Sequence, residues 1–171
     1  DFVEHLFIAS THDNLLLFTS KGKAFVVKVH EIPQASRISK GKFVANFVSL
    51  SQGEKITSYI PILEFKEGQF LVMATRMGQI KKCEITDFEN TRKSGIVAIG
   101  LDPKDELIEV ELTDGKQEIF LATRKGKAIR FPETLVRSMG RTAGGVRGIS
   151  LENKDYLIGM EVVSKDATLL S

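Results

Sequence analysis

The sequence has one cysteine, Cys83, and no tryptophan in its 171 residues. A single thiol leaves no partner for a disulfide within the chain, which suits a reducing cytoplasm. Cys83 lies beside Lys82 in a run that reads as a strand and is taken as a packed small hydrophobe. The aromatics are mostly Phe, 11 of them against two Tyr, so there is no obvious platform for stacking single-stranded bases. The three histidines, His5, His12 and His30, lie at no spacing that suits a metal, so no metal site is expected. No Ser/His/Asp or Cys/His constellation and no outstanding carboxylate pair is present, so no catalytic residue is expected. No apolar run approaches the roughly 20 residues of a membrane-spanning helix, and no signal peptide opens the chain. Helix signals are poor, and Asp87–Lys93 and Pro132–Ser138 hold a turn each at most. A net charge of +2 decides nothing by its sum. The sequence opens at Asp1 without Met and stops at Ser171 in an apolar stretch, so it reads as a segment of a longer protein.

What the chain does have is a repeat. Leu15–Val29, Phe70–Cys83 and Ile119–Phe131 are each an apolar run, a basic glycine turn and a second β-rich run. The turn glycines are Gly22, Gly78 and Gly126, 56 and 48 residues apart. The apolar arm lacks polar alternation and so reads as a strand buried on both faces. Glycine in the turn suits a hairpin that needs φ > 0. After each hairpin comes a basic, glycine-bearing loop: Ser36–Lys42, Asn90–Gly95 or Met139–Gly148. A strand is expected next, at Phe43–Leu50, Ile96–Leu101 or Val146–Leu151. Then come an acidic turn and a last strand at Lys55–Ile62, Leu107–Leu112 or Tyr156–Val163. Four strands in about 50 residues is the arithmetic of a propeller blade. The expectation is an all-β chain with blades at residues 3–62, 63–113 and 114–164 and the start of a fourth at 165–171.

The distribution of charge is more informative than its sum. The hairpin windows 15–29, 70–83 and 119–131 and the loop windows 34–48, 90–101 and 137–149 hold 18 of the 24 Lys and Arg and none of the 22 acids. Equivalent positions of a propeller share a rim, so the cations are expected to form a belt with the acids segregated to other turns. A curved positive belt suits double-stranded DNA, whose every neutralised phosphate adds a salt-dependent increment to binding. Nothing resembles a recognition helix or zinc finger for reading bases. Gly140–Gly148 lacks the Gly-Lys-Ser/Thr ending of a phosphate-binding P-loop and no helix follows it.

The runs THDNLLLFTSKGKAF (Thr11–Phe25), ATRMGQIKK (Ala74–Lys82), DELIEVELTDGKQEIFLATRKGKAIRF (Asp105–Phe131) and VRSMGRTAGGVRGISL (Val136–Leu151) resemble the C-terminal domain of the bacterial DNA gyrase A protein. The resemblance covers essentially the whole chain. It implies a β-pinwheel, a six-bladed propeller-like disc of four-stranded antiparallel blades, about half of them in this chain. It further implies a domain that wraps double-stranded DNA and presents it in a positive crossover to a cleavage core, so that the ATP-driven holoenzyme introduces negative supercoils. The implied partners are double-stranded DNA, the rest of gyrase A, and gyrase B, in a heterotetramer. No membrane is implied, and the place is the cytoplasm, on the nucleoid. No cofactor is implied in this domain, since ATP and Mg²⁺ serve elsewhere in the complex, and neither Tyr59 nor Tyr156 is the cleaving tyrosine.

Two features depart from the family. Its basic heptapeptide, Gln-Arg/Lys-Arg-Gly-Gly-Arg/Lys-Gly, is absent from this sequence, and only half the blades are present. The DNA-contacting role is carried onto the hairpin cations Lys21, Lys23, Arg76, Lys81, Lys82, Arg124, Lys125, Lys127 and Arg130. It is carried equally onto the loop cations Arg37, Lys40, Lys42, Arg92, Lys93, Arg141 and Arg147. Two alternatives remain open: the corresponding domain of topoisomerase IV, with a weaker wrapping role, and a protein-interaction propeller of the WD type, whose Trp-Asp signature is missing.

Overall fold

The computed structural model describes residues 6–36, 38–43 and 46–164. Among these there are eleven β-strands, three one-turn 3-10 helices and no α-helix. The apolar arm of the first repeat is β1 (Asn14–Thr19), and its return strand is β2 (Lys23–Lys28). They form an antiparallel hairpin in the register Leu17↔Phe25. Gly22 closes the turn at φ +74°, and a Cβ there would stand 2.8 Å from the Ile99 carbonyl oxygen, so the position is confined to glycine twice over. The last strand of the repeat, β3 (Ile56–Ile62), pairs with the other edge of β1.

The second repeat supplies β4 (Phe70–Thr75), β5 (Gln79–Glu84), the two-residue β6 (Ile96–Val97) and β7 (Leu107–Thr113). The third supplies β8 (Glu118–Thr123), β9 (Ala128–Pro132), β10 (Val146–Arg147) and β11 (Leu157–Val163). The helical turns fall at Val29–Glu31, Ile85–Phe88 and Glu133–Leu135, each just after a return strand.

The strand after the basic loop does not close the sheet of its own repeat. β6 pairs with β2 and β10 with β5, so the sheets read β3-β1-β2-β6, β7-β4-β5-β10 and β11-β8-β9. Each of the first two sheets therefore borrows its fourth strand from the following repeat. These strands are also shorter than the expected Ile96–Leu101 and Val146–Leu151, and no strand forms among the described residues of Phe43–Leu50. The reason is visible in the ladder. Beyond Val97, Ala98 and Ile99 both donate their N–H to the one Gly22 carbonyl and turn their side chains into the core. The expected start of a fourth blade, 165–171, lies outside the described residues.

Two of the three cores sit between sheets. Leu16 and Phe18 of β1 face one way, against Leu71, Met73, Cys83 and Phe88 of the second repeat. Leu15 and Leu17 face the other way, with Phe25, Val27 and Val48. Burial on both faces thus matches the unbroken apolar run in β1 and β4, whereas in β8 Ile119 and Leu121 are buried but Phe120 and Ala122 only half-buried. Phe18 meets Phe88 edge to face at 5.8 Å, a favoured aromatic geometry. A second interlayer core joins Val72, Ala74 and Ile80 to Ile119, Leu121, Leu157 and Met160. Burial pushes the Cys83 thiol up to about 12, so it is an inert packing group here.

Candidate nucleic-acid interface

The three hairpin tips are joined in a row. Each tip donates a backbone N–H to the residue at or just after the acidic turn of its own repeat: Ser20 N–H to the Lys55 carbonyl at 2.8 Å, Arg76 N–H to that of Glu106 at 2.8 Å and Arg124 N–H to that of Tyr156 at 3.0 Å. Each of the first two also hooks the following repeat, since Leu107 N–H donates to the Ser20 carbonyl at 3.0 Å and Leu157 N–H to that of Arg76 at 2.8 Å. A carboxylate braces each turn from below. Glu54 accepts from the Thr19 hydroxyl at 2.5 Å, Asp105 from Met77 N–H at 2.9 Å and Asp155 from Lys125 N–H at 3.1 Å. Burial alone would raise the Asp155 carboxyl, but the Thr123 side chain and the N–H groups of Lys125 and Tyr156 hold it below its ordinary range.

On this scaffold Lys21, Arg76, Arg124, Lys125, Lys127 and Arg130 are exposed on the hairpins, with Lys23 half-buried. Lys40, Lys42, Arg92, Lys93 and Arg147 are exposed on or just after the loops, and Arg141 is half-buried. Arg37 lies outside the described residues.

Lys81 and Lys82 do not belong to the exposed set. Lys81 is fully buried and donates to the carbonyl oxygens of Ala98, at 2.7 Å, and Arg141. Burial lowers its ammonium to about 8. It staples the chain that follows one basic loop to the next basic loop, and the Arg141 guanidinium completes the tie by donating to the Val97 carbonyl at 3.2 Å. Lys82 is buried against Glu133, donating to its backbone carbonyl at 2.9 Å with the carboxylate at 3.8 Å. Both lysines are structural, because their long stems reach acceptors inside the layers rather than water.

Segregation of the acids holds along the sequence and only partly in space. Arg76 lies 3.7 Å from Glu106, Lys127 2.7 Å from Glu152 and Arg130 3.0 Å from Glu118. The Arg76 and Lys127 pairs are solvent-exposed on both sides and contribute little, about 0–1 kcal/mol each. Glu118, by contrast, is mostly buried, its Oε2 has no hydrogen-bond partner among the described residues, and it holds Arg130 more firmly. Lys21 and Lys125 spend one donor each on the Gln52 and Asn153 carbonyls.

The opposite edge of the sheets is acidic. β3, β7 and β11 pack side by side there. Glu109 and Glu111 of β7 face Ser58 of β3 and Glu161 of β11, and burial followed by the Glu161 charge pushes both carboxyls up to about 7. Between their ordinary value and 7 the folded chain holds more protons than the unfolded one, so stability conferred by these groups falls as pH rises through that range. The melting temperature is expected to drop between pH 5 and pH 8, and Glu109→Gln with Glu111→Gln to flatten the drop. A profile unchanged by the pair of substitutions would place the titration elsewhere.

Sequence reasoning missed one member of the site. Tyr156 lies between the tips of the second and third sheets, with the Arg76 guanidinium carbon 4.2 Å and that of Arg124 5.5 Å from its ring centre. The available signal was positional, since Tyr156 occupies the place that Glu106 holds one repeat earlier. Among the described residues no group of three His, Cys, Asp or Glu is arranged to hold a metal ion, and no helix is long and apolar enough to cross a membrane.

Comparison with known proteins agrees with this architecture. A family model described as DNA gyrase C-terminal domain, beta-propeller, matches residues 13–62, 69–114 and 117–164. The chain is 41% identical over 171 residues to the DNA gyrase A protein of Salmonella typhimurium and 42% identical over 171 residues to that of Escherichia coli, covering 100% of this chain and 20% of each relative. It is 49% identical over 148 residues to the gyrase A protein of Clostridium acetobutylicum, covering 86% of this chain and 18% of the relative. The chain thus spans about a fifth of the length of these relatives. Among solved structures, the C-terminal domain of DNA topoisomerase IV superposes with a TM-score of 0.84 at 35% identity over 91% of this chain and 48% of that one. A DNA gyrase A C-terminal domain superposes with a TM-score of 0.74 at 25% identity over 90% of this chain and 48% of that one.

Proposed function

The chain belongs to the family of DNA gyrase C-terminal β-propeller domains, and from that membership we propose that it binds double-stranded DNA without regard to sequence and bends it along its basic edge. The observation that carries this reading is the hooked row of tips and borrowed strands. It brings exposed cations of successive repeats, among them Arg76, Arg92, Lys93, Arg124 and Arg147, onto one continuous scaffold. Fixed cations at intervals along a rigid edge suit a regular polyanion, and bending a short duplex by 40–90° costs about 1–6 kcal/mol, which several phosphate contacts offset. The edge that carries Glu109, Glu111 and Glu161 offers a duplex no cations among the described residues and gains negative charge as pH rises through about 7, so it disfavours DNA on that side.

In the whole enzyme this wrapping serves ATP-dependent negative supercoiling on the bacterial chromosome in the cytoplasm. The domain works there with the rest of gyrase A and with gyrase B, and ATP and Mg²⁺ act in those parts. The second reading, the equivalent domain of topoisomerase IV, is favoured by the TM-score of 0.84 to that enzyme's C-terminal domain.

The test is duplex affinity as a function of salt. Binding is expected to weaken steeply between 50 and 200 mM, with each phosphate contact adding about −0.9 to the log–log slope. Arg92→Glu with Lys93→Glu is expected to reduce the magnitude of that slope by about 2 and to weaken unrelated sequences equally. A flat salt response, or a loss confined to one sequence, would defeat the reading.

A further inference from the structure

We propose that Arg76, Tyr156 and Arg124 form a single seat for a backbone phosphate at the junction of the second and third sheets, with Tyr156 the residue that positions both guanidinium groups. The assignment rests on the DNA-binding reading and adds a specific contact to it. Tyr156 is held from both sides: its carbonyl accepts from Arg124 N–H, and the N–H of its neighbour Leu157 donates to the Arg76 carbonyl. Its own N–H is tied to the Asp155 carboxylate at 2.9 Å. The ring is thereby fixed between two tips that come from different repeats.

Both arginines lie on that ring, with guanidinium carbons 4.2 and 5.5 Å from its centre. Both are exposed. Packing on an aromatic ring occupies the π-surface of a guanidinium and leaves its N–H edge free, and that edge matches a phosphate in two-point fashion. Two like charges gathered on one ring repel each other, and an anion lodged between them relieves the repulsion.

The junction one repeat earlier shows what the tyrosine changes. There the tip residue is Ser20, the middle position is Glu106, and Glu106 lies 3.7 Å from Arg76. That junction offers one arginine and its counter-charge. The later junction adds Arg124 and an uncharged ring to that same Arg76, so it carries a positive charge beyond the Arg76–Glu106 pair. The Arg76–Glu106 pair is solvent-exposed and weak enough for a phosphate to displace it.

The experiment compares wild type, Tyr156→Phe, Tyr156→Ala, Tyr156→Leu, Arg76→Ala with Arg124→Ala, and the triple alanine variant, in the full chain. It measures affinity for a duplex of several helical turns between 50 and 200 mM salt. Tyr156→Phe is expected to bind within about two-fold of wild type, because the ring is retained. Tyr156→Ala is expected to weaken binding about three- to ten-fold and to move the salt slope toward that of the double arginine variant. The triple variant is expected to bind no more weakly than the double variant, because the tyrosine acts through the arginines. Tyr156→Leu, which keeps packing bulk and removes the aromatic face, should resemble Tyr156→Ala even if the alanine variant is unstable.

A Tyr156→Leu variant that binds like wild type, a Phe variant as weak as the Leu one, or an additive triple variant would each overturn the assignment while leaving DNA binding intact. Wild type without salt-dependent binding would overturn the DNA reading itself, and that result appears before any variant is compared.

Discussion

Glu133→Ala is expected to lower the stability of the chain by about 3–5 kcal/mol, a large part of the roughly 5–15 kcal/mol typical of a domain. Glu133 is fully buried at the turn after β9. One carboxylate oxygen accepts from the Thr113 hydroxyl at 2.6 Å and the other from Gln117 N–H at 2.8 Å. Lys82 Nζ lies 3.8 Å from the carboxylate and 5.2 Å from the centre of the Phe70 ring. Removing the acid strands the Lys82 ammonium inside the protein and unbinds two donors at once. The same lysine residue accepts Met139 N–H through its carbonyl at 2.9 Å, so the damage falls on the approach to the third basic loop. Lys82→Met with Glu133→Leu removes both charges but still leaves the Thr113 hydroxyl and Gln117 N–H without their acceptor, so it is expected to recover only the part of the loss due to the stranded ammonium. Urea unfolding measures both. A loss below about 1 kcal/mol for Glu133→Ala would mean that the pair carries no such role.

Gly145→Ala is expected to cost about 2–4 kcal/mol and to release β10 from β5. Gly145 has φ +91°, and a Cβ there would stand 2.5 Å from the Ile80 carbonyl oxygen and 3.2 Å from the Lys81 Cβ. Neither neighbour can yield cheaply, since one is strand backbone and the other roots a buried side chain. The next residue, Val146, pairs with Ile80 and begins the borrowed strand. Pushing residue 145 outward therefore detaches the edge that carries Arg147 and loosens the staple from Lys81 to the Arg141 carbonyl. Hydrogen exchange is expected to accelerate at the amides that join β10 to the Gly78 turn, with DNA affinity falling in parallel. Gly140→Ala is the control, because a Cβ at Gly140 meets nothing within 4 Å, and its effect should stay within about 0.5 kcal/mol. Equal losses at the two glycines would show that close backbone approach at Gly145 is not the cause.

The features legible in the sequence were those carried by neighbouring residues. An unbroken apolar arm, a glycine turn and a β-rich return determine a hairpin locally, and they did so three times, as in the register Leu17↔Phe25 and its equivalent Met73↔Lys81. The bias of cations toward these hairpins and loops was likewise a property of the chain alone. Tertiary structure decided the partners. Ile96–Val97 and Val146–Arg147 are too short to show a period, and only the free edge of the preceding sheet makes strands of them. Lys81 and Lys82 looked like surface cations because their burial depends on acceptors at Ala98, Arg141 and Glu133, which are 17 to 60 residues away in sequence. Tyr156 acquired its role because backbone hydrogen bonds to two different tips set its ring between Arg76 and Arg124. Local pattern selects the hairpin, whereas long-range hydrogen bonds and burial select which charges reach the surface.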